Sequence, residues 1–150
     1  MNLPYFRKAR REDIPAILAL MIDGAVDQTR ENGASLADYE RAFAVIDADA
    51  NQFLAVAERD GVLVATMQLT FIPGLSWRGA WRMQLENVRV RSDLRGQGLG
   101  KQMMAWALAQ GRARGCTFVQ LTTHKTRTDA QRFYKQLGFQ ATHEGMKLVL

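Results

Sequence analysis

The sequence predicts an α/β fold built as one domain, and three observations carry that prediction. Two apolar, alternating runs, residues 52–58 and 62–71, flank Arg59-Asp60-Gly61, the pattern of an antiparallel hairpin. An alternating segment at 85–90 enters a glycine-rich turn, and a helical pattern runs from Leu99 to about Arg114. A second strand and helix follow at 117–122 and 128–137. Hairpins combined with strand–helix units make a mixed α/β domain.

Each element has a local reason. Residues 5–9 read as a short first strand. Asp13 stands as N-cap of the first helix, with Pro15 in its opening turn and Ile14, Ile17, Leu18 and Met21 at helical spacing. Residues 23–33 are polar and read as a loop or broken helix. Ser35 caps a second helix to about Asp47, with Leu36, Tyr39, Phe43 and Ile46 on one face. Pro73-Gly74 marks a loop, and 81–91 a strand leading into the glycine turn. Gly138 ends the last helix. Residues 139–143 and 146–150 read as closing strands around Glu144-Gly145. No internal repeat, low-complexity tract or linker interrupts the chain.

Composition narrows the function classes. A chain of 150 residues, 47% hydrophobic and 23% charged, suits one folded domain spanning 1–150. The net charge is +5, and Arg89, Arg91, Arg95, Lys101, Arg112 and Arg114 are grouped in sequence around the glycine turn. That suits an anionic small molecule, and charge alone also admits nucleic acid. No helix-turn-helix or zinc-finger pattern supports a nucleic-acid partner. The single cysteine, Cys116, excludes an internal disulfide and reads as a core thiol in a reducing compartment. His124 and His143 have no close ligand spacing with Cys116, so no metal is expected. No leader opens the chain, and the apolar run 14–22 contains Pro15 and falls short of the roughly 20 residues a membrane span needs. A cytoplasmic protein without a membrane partner is expected.

The most informative stretch is Arg95-Gly96-Gln97-Gly98-Leu99-Gly100-Lys101. Glycines let a backbone approach an anion closely, and the free N–H groups of a first helical turn point at it. The dinucleotide fingerprint G-x-G-x-x-G fails here, because the glycines alternate and the turn comes late. The P-loop fails too, since Gly100-Lys101 is followed by Gln102 and position 95 is arginine. A ligand-free tight turn is the bland alternative, although three alternate glycines cost entropy that a simple connection does not require.

Arg95-x-x-Gly98-x-Gly100 resembles the acyl-CoA signature of the GNAT superfamily of N-acetyltransferases, and Ala130-Gln131-Arg132-Phe133-Tyr134 to Gly138-Phe139 resembles its A-x-x-F-Y-x-x-x-G-F segment. The order of elements fits the same family over nearly the whole chain. The resemblance implies a single mixed, mostly antiparallel sheet flanked by helices, and acetyl-CoA as co-substrate. It implies that Val88, Arg89 and Val90 offer main-chain pairing to pantetheine. The amides of Gly96, Gln97, Gly98, Leu99, Gly100 and Lys101 would meet the diphosphate, with Arg95 adding charge. Asp129 stands where many relatives carry a pantetheine-binding asparagine. An ionised aspartate can only accept hydrogen bonds, a departure from that contact.

The resemblance also implies that Tyr134 protonates the departing thiolate, as a phenol ordinarily titrating near ~10 can. A ring packed on the core is the alternative. An amine of pKa ~10.4 is deprotonated in only about one molecule in 2,500 at pH 7, a deficit of ~4.6 kcal/mol, so a base is needed. Glu86 is the first candidate: it shares a face with Val88 and Val90 if no bulge intervenes, and a surface carboxylate paired with Arg82 is the alternative. Glu58 is the second. His124 reads as a loop residue, and Trp77 and Trp81 as either acceptor-lining or sheet-packing. The acceptor would be a primary amine, and Arg78, Arg82 and the arginines of the second half would suit one that also carries a carboxylate. A non-catalytic acyl-CoA sensor is the rival reading, and homodimers are common in the family.

Overall fold

The computed structural model describes residues 2–150. Its sheet has five strands in the order β1 (Tyr5–Lys8), β2 (Gln52–Arg59), β3 (Val62–Pro73), β4 (Trp81–Val90) and β5 (Cys116–Leu121). The pairs β1–β2, β2–β3 and β3–β4 are antiparallel. Between β4 and β5 lies helix α4 (Leu99–Ala113), the crossover that parallel neighbours use, so the sheet is mixed as expected. Asp60 (φ 52°) and Gly61 (φ 78°) are both left-handed, which is the backbone a two-residue hairpin requires.

The register gives the sheet two different faces. Phe53, Leu69, Leu85, Phe71 and Met83 share one face. There Gly111 of α4 leaves room for the Met83 thioether, and Trp106 stacks on Phe6 at 5.4 Å and tilts against Phe53 at 5.6 Å. The helix buries Leu99, Met103, Met104 and Ala107, spaced to form one stripe. Each of the leucine and methionine side chains in it contributes ~1.5–3 kcal/mol. The opposite face carries Val56 under Ala9 and Ile17, with Met21, Phe43, Leu54 and Leu63 around them. Ile17 and Met21 belong to α1 (Ile14–Asp23), and Phe43 to α2 (Leu36–Ala48).

Caps follow the expected pattern with one change. Ser35 accepts the Asp38 amide at the start of α2. Asp13 precedes α1, but its carboxylate accepts the Arg10 amide at 2.7 Å and the Arg7 guanidinium at 2.6 and 3.0 Å. Leu36 is exposed, so the inner face of α2 is Tyr39, Phe43 and Ile46. Between β3 and β4 lies a single turn, α3 (Ser76–Gly79), whose Trp77 and Arg78 are left-handed. The Trp77 ring is 70% exposed and touches Phe118 at 5.3 Å.

The chain divides into two compact units, Met1–Gln120 and Leu121–Leu150. The second carries α5 (Thr128–Gln136). Residues 139–150 form no strand, contrary to expectation, and are exposed from position 141 onward. Alternating apolar residues become a strand only when a neighbour supplies a ladder and a surface to pack on, and no ladder forms here.

Candidate active site

The strand entering the glycine turn is bulged. Gln68 pairs with Glu86 and Thr66 with Arg89, so Asn87 and Val88 together oppose Met67. Asn87 takes φ 49°, a left-handed conformation that asparagine tolerates better than most residues. The bulge corrects the expected facing of Glu86. Val90 pairs with Ala65 and lies on the apolar face with Leu85, whereas Glu86 lies on the other face with Arg89. Glu86 is exposed, and its carboxylate makes no ion pair or hydrogen bond among the described residues. It does not pair with Arg82.

Glu58 is differently placed. Its carboxylate takes the Arg7 guanidinium at 3.0 and 3.2 Å. Arg7 is thereby held between Glu58 and Asp13 and stays charged more firmly than an ordinary arginine, chiefly through the bond to Asp13. The same bond pulls the Asp13 carboxyl below the usual aspartate range, against burial, which pushes the other way.

Past β4 the chain makes a short 3-10 turn, Ser92–Leu94, and then reaches Gly96 (φ 75°) and Gly98 (φ 83°). Both need glycine for conformation, and a Cβ at either would meet open space. Gly98 is the N-cap of α4, and the first bond into the helix runs from the Gln102 amide to the Gly98 carbonyl. The amides of Leu99, Gly100 and Lys101 therefore precede any intrahelical partner. The α1 end braces this junction: Asp23 accepts the Ser92 amide at 2.9 Å and lies 3.7 Å from the Arg95 guanidinium. A Cβ on Gly24 would fall 2.6 Å from Arg89 Cδ, so glycine there lets Arg89 lie across the helix end. The Gln97 amide side chain holds the Asp93 carbonyl at 3.0 Å.

The basic cluster read along the sequence is split in space. Arg91 is paired with Asp93 at 2.7 and 3.0 Å. Arg112 and Arg114 stand at the other end of the 15-residue α4, roughly 22 Å from the turn. Arg114 is occupied there, over the Phe71 ring at 4.3 Å and bonded to the Ala50 carbonyl. Arg89, Arg95 and Lys101 are left beside the turn. The residues that remain fit an acyl-CoA: left-handed glycines, unpaired amides, an aligned helix dipole and local positive charge are the features a diphosphate would need. Because exposed helix-terminus contributions are about 0.3–1 kcal/mol each, such a site would depend on the set and not on any one amide.

In the unit Leu121–Leu150, the Tyr134 ring sits edge-on to Phe133 at 5.3 Å and to Phe139 at 5.7 Å. Asp129 opens α5, is almost fully exposed and pairs with Arg132 at 3.3 Å. His124 is an exposed loop residue bonded to Thr126. Cys116 is half-buried, and desolvation pushes its thiol upward, which suits an unreactive cysteine. Among the described residues no cluster of three or more His, Cys, Asp or Glu could hold a metal ion, and no helix is long and apolar enough to cross a membrane.

A glycine turn between a strand and a long helix is what the acyl-CoA signature predicts. Residues 19–139 match the model of the acetyltransferase (GNAT) family. The chain belongs to the GNAT acetyltransferase family. Along GNAT sequences it resembles aminoalkylphosphonate N-acetyltransferase of Salmonella typhimurium, 28% identical over 91% of this chain and 85% of that protein. Its fold matches a transcriptional regulator from Bacillus halodurans C-125 at a TM-score of 0.93 and 40% identity, covering 99% of this chain and all of that one. Glucosamine-6-phosphate N-acetyltransferase from Arabidopsis thaliana shares the fold at a TM-score of 0.82 and 20% identity, over 99% of each chain.

Three features of this GNAT site were not anticipated from sequence. The bulge had a faint signal in Asn87, a residue tolerant of left-handed backbone in mid-strand. The brace from Asp23 joins residues 69 apart and leaves no local pattern. The third is a polar row on the Glu86 face: Gln68 and Thr70 both donate to Gln52, and Gln120 donates to Gln84 at 2.7 Å.

Proposed function

We propose that the whole chain acts as one domain that transfers acetyl from acetyl-CoA to a primary amine of a small molecule or peptide, by direct attack. The observation that carries this reading is the cradle: left-handed Gly96 and Gly98 opening a helix whose first amides lack partners. The amides from Gln97 to Lys101 would hold the diphosphate, with Arg95 adding charge. Val88, Arg89 and Val90 would offer main-chain groups to pantetheine next to the bulge. Bound acetyl-CoA supplies the activated acyl group. Glu86, exposed and uncommitted, takes the proton from the acceptor ammonium, directly or through water. Tyr134 Oη supplies a proton to the leaving sulfur. An exposed Asp129 already paired with Arg132 gives little support to a role on the cofactor. The relative from Salmonella, named for an amine that also bears an anionic phosphonate, supports an acceptor carrying both groups.

Gly98→Glu tests the cradle. It introduces bulk and negative charge where the diphosphate would lie, at a position whose φ also disfavours any side chain. Calorimetry should find coenzyme binding abolished in a folded variant, and unchanged affinity would count decisively against the site. Tyr134→Phe should lower turnover by roughly 10²-fold while leaving coenzyme affinity alone. Equal turnover would take Tyr134 out of the acid role.

A second reading is favoured by the name of the Bacillus relative: a regulatory domain that senses acyl-CoA without turnover. Free-thiol release with acetyl-CoA and a panel of amines separates the two. Coenzyme binding without release across the panel would select the sensor.

A further inference from the structure

The Glu86 face of β4 is not an ordinary solvent face. Arg82, Gln84 and Glu86 follow one another at every second residue, so all three project on the same side. Across the sheet, Gln68 and Thr70 stand opposite Glu86 and Gln84, and Gln120 of β5 reaches Gln84. Arg82, Gln84, Gln68, Thr70 and Gln120 are half-buried. Sheet faces sheltered to this degree usually carry apolar residues, as the face under α4 does. Here they carry primary amides and a hydroxyl. Each amide has two N–H donors and a carbonyl with two lone pairs. The bond from Gln120 to Gln84 leaves the Gln84 amino group and the Gln120 carbonyl with spare capacity. At one end of the row Arg82 makes no ion pair among the described residues, and at the other neither does Glu86. A cation and an anion on one strand, both unanswered, with hydrogen-bonding groups between them, match a ligand of the opposite polarity.

We infer that this row is the acceptor site and that it takes an elongated amine whose anionic group is read by Arg82, with polar groups along the intervening span. The inference rests on the reading of Glu86 as the base. Four residues at about 3.4 Å each separate the Arg82 and Glu86 Cα atoms by ~14 Å, and a charge-assisted contact of about 2.8 Å at each end, inclined inward along the strand, leaves the ligand's amine and anion roughly 10 Å apart. Arg82 is a specificity residue in this scheme, because it touches the remote anion and not the reacting nitrogen.

Oligoglycines vary that separation without changing the chemistry, and triglycine, spanning about 10 Å when extended, matches it. Calorimetry with coenzyme A present should show triglycine binding about tenfold more tightly than glycine and than triglycinamide, which lacks the carboxylate. Arg82→Gln should remove that advantage for triglycine and leave triglycinamide unchanged, and Arg82→Lys should restore part of it. In acetyl transfer, Arg82→Gln should raise KM for triglycine with little change in kcat. Equal weakening of acid and amide by Arg82→Gln, absence of length dependence, or no triglycine binding would overturn the inference. Binding that depends on Arg82 without thiol release would uphold the row and remove the transferase reading. Thiol release indifferent to the carboxylate would do the reverse.

Discussion

Two glutamates on one sheet, Glu58 and Glu86, show how position commits one side chain to the architecture and leaves the same side chain elsewhere free for the role proposed for it. Glu58 stands one residue before the end of β2 and is answered: Arg7 bridges it to the buried Asp13, and Asp13 also takes a backbone amide. Every charge in that cluster has a partner inside the protein. Glu86 stands on β4 beside the bulge, and among the described residues neither it nor Arg82 four residues earlier has an internal partner. Pairing removes the penalty of burying charge and fixes the first strand against the first helix. The exposed Glu86 and the half-buried Arg82 contribute no such bridge to the fold, which is why both are proposed to act on a ligand.

The contrast is broken most directly at Glu86. Glu86→Gln keeps the size and shape of the side chain but removes the carboxylate proposed as the base. Turnover should fall about 10²–10³-fold, with coenzyme affinity and thermal stability unchanged. A variant with full turnover would shift proton removal to water alone and erase the distinction drawn between the two carboxylates.

Asp13→Asn should do the opposite. It leaves the bridge one charge short while Glu58 still compensates Arg7, so a loss of about 2–3 kcal/mol is expected, less than for a fully orphaned buried charge. That corresponds to a melting point roughly 5–10 °C lower, with turnover per folded molecule intact. The acid limb follows from the same pair. Because the Asp13 carboxyl titrates below its ordinary value in the folded state, its contribution is fully present above about pH 4. It is lost as pH falls through the folded-state value. Acid unfolding of the wild type should therefore be steeper than that of Asp13→Asn, as circular dichroism would measure.

Much of this was legible in the residues. The hairpin at Asp60-Gly61, the cap at Ser35 and the glycine turn are local devices, written in a few consecutive positions. The candidate site was legible as a list of residues but not as a geometry. One inserted residue in β4 moved Glu86 to the face opposite Val90, and no periodicity argument detects an insertion before the partner strand is known. The arginines at 112 and 114 were grouped with the turn because sequence distance ignores a helix of some 22 Å. The final residues kept a strand-like pattern without a ladder to join.

The smallest expected effect is the most discriminating. Glu58 is about one-third exposed and shares Arg7 with Asp13, so Glu58→Gln removes only a screened part of the bridge. A loss of about 0.5–1 kcal/mol, seen as a shift in the denaturant midpoint, should accompany unchanged kcat and KM. Steady-state kinetics on Glu58→Gln and Glu86→Gln side by side then test the assignment as a pair. If Glu58→Gln were the slower enzyme, the carboxylate bound to Arg7 would be the base, and a free carboxylate would no longer mark the place where the acceptor loses its proton.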